Sequence, residues 1–179
     1  MRWSQILTVV GCAAMLVGGI DPMEGSLAVL PGSGLFALAA YLGQAERPVL
    51  RARLVIFLLV AIGVGALWGM SAFGGVGGQS GHSAWWLLLG LPYMLGWSGS
   101  FWTKGAPYWY TQLGLVIGLW YMVIFYLGST RPQPKGPAVF PVIAAIGVLG
   151  LLTAAGCAWR LWRTRGAVLA STPPPSSPA

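Results

Sequence analysis

Residue types that do acid, base or metal chemistry are so scarce in this chain that each can be followed singly. Asp and Glu number 3 and His 1 in 179 residues, and two of the acids, Asp21 and Glu24, stand three apart in GGIDPMEGSLAVLPGSG. The lone imidazole, His82, closes the Gly-rich run FGGVGGQSGHS. Two carboxylates and one imidazole are donors that several divalent ions accept. Asp21, Glu24 and His82 are therefore candidate ion or ligand residues if the fold joins the two segments, although the donors alone do not name a metal. A structural reading competes and is the stronger. Asp21 at an N-cap, Pro22 at the first helical position and Glu24 at the third make a capping box with its preferred proline. Both acids then face the positive end of a helix dipole. His82, beside Ser83, reads more readily as a helix-start or interfacial residue than as a ligand.

Other short motifs fail on physical grounds. GWSGS, residues 96–100, has the Gly-x-Ser-Gly order of rhomboid proteases. A serine nucleophile needs a base within hydrogen-bond reach. On a shared helix His82 is roughly 24 Å from Ser98, at about 1.5 Å per residue, so no dyad forms. LTVVGC resembles a lipobox ending at Cys12, but the apolar run before it is short and hydrophobicity continues past it. Cys12 and Cys157 both fall in apolar segments and imply no disulfide framework. One His excludes a bis-His haem; no cofactor is named by these residues. GGVGG lacks the Lys-Ser/Thr and the strand context of a phosphate loop.

The elements that must carry these residues are membrane helices. The chain is 56% hydrophobic and 7% charged, with mean hydropathy +0.74, whereas a soluble domain carries about a quarter charged residues. A formal charge of +7 invites a nucleic-acid reading, but the cations are too dispersed for a phosphate groove, and no nucleic acid is expected. Six continuously apolar segments, about 4–20, 23–42, 53–73, 84–102, 108–128 and 139–159, approach the roughly 20 residues a span needs. The expected fold is all-α: one integral membrane domain over 1–165, a bundle of about six transmembrane helices. A disordered Pro/Ser-rich tail is expected over 166–179. Pro31 and Pro92 each fall inside a span and are tolerable if neighbours re-satisfy the freed carbonyls.

Lys and Arg orient the bundle. With six spans, one side holds Arg2, Arg47, Arg51, Arg53, Lys104, Arg160, Arg163 and Arg165; the other holds Arg131 and Lys135. The positive-inside rule then places both termini in the cytoplasm, in the inner or cytoplasmic membrane of a multi-pass protein. Trp3, Trp97, Trp102, Trp109, Trp159 and Trp162 fall near the inner interface, Trp85 and Trp86 near the outer. The spans show no acid, base or His at mid-depth, which disfavours proton-coupled transport. They do show small residues four apart, Ala61, Gly65 and Gly69 in one span and Gly114 with Gly118 in another, which let helix backbones approach closely.

GGIDPMEGSLAVLPGSGLFALAAYLG followed by ALWGMSAFGGVGGQSGHSAWWLLLGLPYMLGW resembles small uncharacterised bacterial membrane proteins. The likeness covers about residues 18–97 and implies a bacterial origin; it brings no activity, ligand or partner. The leading expectation is a non-catalytic membrane protein, a packing, assembly or accessory subunit whose partners are lipid, other membrane subunits or its own copies. The alternative is a small-solute channel or transporter built on the Pro-broken helices and an outer Asp21, Glu24 and His82 cluster. An enzyme would have to work from those same three residues.

Overall fold

In the computed structural model the described residues are 3–19, 24–74, 88–130 and 139–171, with side chains omitted for 139–141 and 166–171. They form six helices and, among the described residues, no strand: α1 (Trp3–Gly18), α2 (Ser26–Leu42), α3 (Arg47–Ala72), α4 (Leu91–Trp102), α5 (Tyr108–Thr130) and α6 (Val139–Ser171). Three are long and apolar enough to cross a membrane: α3, α5 and the Val142–Arg165 part of α6, with hydropathies of 2.3, 1.7 and 2.1. Apolar α1 and α2 are shorter, at 16 and 17 residues.

Several boundaries differ from the sequence expectation, each for a local reason. α2 starts at Ser26, so Glu24 sits in the turn before it rather than at the third helical position. The N-cap is Gly25, with no side-chain cap bond, while the Glu24 carbonyl accepts from Leu27 N–H at 3.2 Å. Asp21 and Pro22, the other members of the expected capping box, lie outside the described residues. Pro31 lies inside α2, and the helix runs through it unbroken to Leu42. Pro92 occupies the first turn of α4, where a missing N–H costs nothing. It follows a 3₁₀ turn at 88–90. Neither proline breaks a span. α3 begins at Arg47, with Pro48 in its first turn, six residues before the expected start, because the charges at Arg47, Arg51 and Arg53 do not end the helix. α6 continues to Ser171, through the first residues of the expected tail.

The helices pair as α1 with α2, α3 with α4 and α5 with α6, and α2–α3 and α4–α6 contacts join the pairs. Small residues set each approach. A Cβ on Gly11 of α1 would stand 2.7 Å from the Gly32 carbonyl oxygen and 2.9 Å from the Phe36 nitrogen of α2. On Gly63 of α3 it would collide with the Tyr93 backbone of α4. On Gly118 of α5 it would stand 2.6 Å from the Ala154 nitrogen of α6. Gly114 meets the Phe101 side chain. The stripe of Ala61, Gly65 and Gly69 carries no such contact: nothing lies within 4 Å of a Cβ placed on Gly65 or Gly69. α3 turns a different face to α4, with Val60 against Gly96 and Leu67 against Gly90.

The core runs through the bundle as Cys12, Met15, Val29, Phe36, Val60, Trp97, Phe101 and Tyr110. Trp97 is a correction to the interfacial reading. It is 4% exposed, crosses Phe101 edge-to-face at 5.0 Å, and donates its indole N–H to the Met15 carbonyl at 2.8 Å. Buried Trp keeps a partner for its N–H, and here α1 supplies it. Trp159 and Trp162, by contrast, are exposed and lie tilted against each other with ring centroids 5.5 Å apart, with Arg163 over Trp159 at 4.6 Å.

Candidate functional site

Of the three residues singled out for ion or ligand chemistry, only Glu24 is among the described residues. Asp21 and His82 lie outside the described residues, and Glu24 is exposed in its turn. Among the described residues no group of three His, Cys, Asp or Glu side chains is placed to hold a metal ion. The polar chemistry of the described bundle lies elsewhere, at the end where α3 begins, α4 turns into α5 and α6 approaches its finish.

That site grows from a helix-end problem. α4 stops at Trp102, and a helix leaves its last four carbonyls without intrahelical donors. Phe101, in that last turn, receives the Thr111 hydroxyl at 2.8 Å and a guanidinium N–H of Arg160 at 3.3 Å. Arg160 also donates to the Thr111 hydroxyl at 2.7 Å and to the Ala106 carbonyl. A cation at a helix C-terminus meets the negative end of the dipole, so Arg160 is held in α6 to close α4. The turn itself uses Gly105 at φ +77°, a left-handed conformation.

Arg53 reaches the same turn from α3. Its Nη2 donates to the Gly105 carbonyl at 2.5 Å and its Nη1 to the Phe36 carbonyl at 2.9 Å, with Thr8 Oγ1 at 3.4 Å. The guanidinium lies over the Phe36 ring at 3.9 Å. The Thr8 hydroxyl donates a hydrogen bond to the Ser4 carbonyl at 2.8 Å. Arg53 is only 5% exposed, and its Nε–H has no hydrogen-bond partner. Among the described residues no carboxylate pairs with either arginine. Beside Arg53 a cavity of about 510 Å³ opens, walled by Ser4, Gln5 and Thr8 of α1, Ala39 and Ala40 of α2, and Gly105.

Deeper in the bundle a line of hydroxyls crosses between helices. Ser98 and Thr153 share a bond of 2.7 Å, and so do Ser100 and Tyr110; Ser100 also donates to the Trp97 carbonyl at 2.6 Å and Thr153 to the Leu149 carbonyl at 2.7 Å. Ser98 is thus bonded to a threonine, which cannot act as its base; His82 lies outside the described residues. The buried Arg53 and half-buried Arg160 are not legible as bonded groups in the sequence, where both read as topology-marking charges. The signal available was the pairing of each with a threonine, Thr8 and Thr111, in otherwise apolar helices. Comparison of the chain with family models, curated proteins and solved structures finds no match.

Proposed function

We propose that the chain is a non-catalytic, multi-pass membrane protein, an accessory or assembly subunit whose role is to hold neighbouring helices. The observation that carries this reading is how the described interior hydroxyls are used. Ser98, Ser100, Tyr110, Thr111 and Thr153 are bonded to one another or to the chain's own carbonyls, which suits a rigid scaffold better than a reactive or conducting site. The uncovered Gly65 and Gly69 add a second support. An interior helix glycine costs about 1 kcal/mol relative to alanine, and in lipid it is compensated where another backbone comes close.

On this reading all six helices lie in a bacterial cytoplasmic membrane, with the arginine-bearing end and both termini facing the cytoplasm, as the Lys and Arg asymmetry requires. The channel alternative rests on two proline-broken helices and an outer Asp21, Glu24 and His82 cluster. A continuous α2 and a Pro92 in the first turn of α4 weaken it. The test is to extract the chain from its source membrane in gentle detergent and weigh it by native mass spectrometry. A complex of fixed composition and ratio is the expected result. A lone chain that conducts or carries a solute after reconstitution would overturn the reading.

A further inference from the structure

Arg53 and Arg160 donate to neighbouring carbonyls, those of Gly105 and Ala106, so two guanidiniums of like charge converge on one turn. Burying a charge is costly unless it is paired and fully hydrogen-bonded. Carbonyl dipoles compensate part of that cost. They leave a net positive charge, and they leave the Arg53 Nε–H without an acceptor. Only 3 acids exist in the chain. Glu46 is exposed at the N-cap of α3, and Glu24 precedes α2 at the opposite end from Arg53. Among the described residues no carboxylate supplies the counter-charge, which leaves the site open to an anion from outside.

The cavity is where it would enter. Arg53 forms part of its wall, and the remaining polar lining is neutral: the Ser4 and Thr8 hydroxyls and the Gln5 amide. No carboxylate lines it, so nothing in the wall repels an anion. Its volume of about 510 Å³ exceeds that of a single oxyanion and suits a phosphate with its substituents. Arg53 stands six residues beyond Arg47, the first residue of α3, or roughly 9 Å along a helix at about 1.5 Å per residue. That is headgroup depth for a helix that begins near a membrane surface. Val9, exposed on α1, and Ala39 and Ala40 give the cavity an apolar side.

From this geometry we infer that the cavity between α1, α2 and the α4–α5 turn binds a phosphate-bearing anion, with Arg53 as the charged contact and Ser4, Gln5 and Thr8 as the polar lining. The inference does not depend on the accessory-subunit reading. The chemistry is shared by the phosphate of an anionic phospholipid and by a free phosphate, and the experiment separates them.

The full chain is purified in a neutral detergent and titrated separately with phosphatidylglycerol, phosphatidylcholine and inorganic phosphate, with binding read by native mass spectrometry and by the unfolding temperature. One phosphatidylglycerol held about tenfold more tightly than phosphatidylcholine is expected, the size of one charge-assisted hydrogen bond. Stabilisation by inorganic phosphate without a phosphatidylglycerol preference would assign the site to a soluble phosphate. Gln5→Trp fills the cavity from an exposed position and leaves the core intact; it should abolish the binding. Arg53→Lys, checked for helix content, should weaken it, because an ammonium lacks the planar fork. Arg51→Gln, an exposed cation outside the cavity, should leave it unchanged. Equal affinity for all three probes, or full binding to the Gln5→Trp variant, would overturn the inference.

Discussion

At the residue scale, the described buried polar groups of this bundle bond to helix ends and across helix pairs. Ser98 and Thr153 illustrate the point. A double-mutant cycle of Ser98→Ala and Thr153→Ala, read by unfolding in detergent, should give a coupling of about 0.6 kcal/mol, the usual size of an interhelical hydrogen bond in a membrane protein. Zero coupling would mean that the bond is not formed. Gly105 carries two constraints at once. Its φ of +77° disfavours an L side chain by about 1 kcal/mol, and a Cβ there would stand 3.0 Å from Arg53 Nη2 and from Val49. Gly105→Ala should therefore destabilise the fold by about 1 kcal/mol or more, measured by the same unfolding assay, whereas Lys104→Ala next to it should not.

At the element scale, helix pairs are set by where glycines meet backbone. Gly118 and Gly65 make the sharpest contrast, since a Cβ on the first would enter α6 and one on the second would enter open space. Gly118→Leu should lower the unfolding temperature of the isolated chain by several degrees, and Gly65→Leu should leave it unchanged. Much of this layer was legible in sequence. Apolar runs of helical length gave six segments, and the i, i+4 spacing of Gly114 and Gly118 pointed to a packed face. Other features were not legible, for specific reasons. Spacing alone does not say which of several small-residue stripes faces inward, so Ala61, Gly65 and Gly69 looked as suited to an internal contact as Gly63, which makes one. The start of α3 was hidden because a charge in an apolar run reads as a loop until a partner for it is visible. Arg53 finds its partners on α2 and the α4–α5 turn, 17 and 52 positions away in sequence. Glu24 looked like a capping residue because its motif is local, yet α2 starts two residues beyond it.

At the scale of the whole molecule, α3, α5 and α6 are long enough to cross a bilayer, and the described Lys and Arg gather at one end of the bundle. The proposed orientation predicts opposite accessibilities for two exposed turns. A cysteine placed at Lys104 should react with a membrane-impermeant thiol reagent only after the cells are opened, and one placed at Glu24 should react in intact cells. The native Cys12 and Cys157 are both buried, so they give little background. The proposed role as a subunit is a statement about what covers the outer face of α3. The measurement that tests it most directly is the native mass of the complex extracted from the source membrane, for the wild-type chain and for a Gly65→Leu, Gly69→Leu double variant. A defined complex with the wild type, reduced to the bare chain in the variant while its unfolding temperature holds, is the predicted result. A wild-type chain that comes out alone, or a variant complex of unchanged mass, would contradict it.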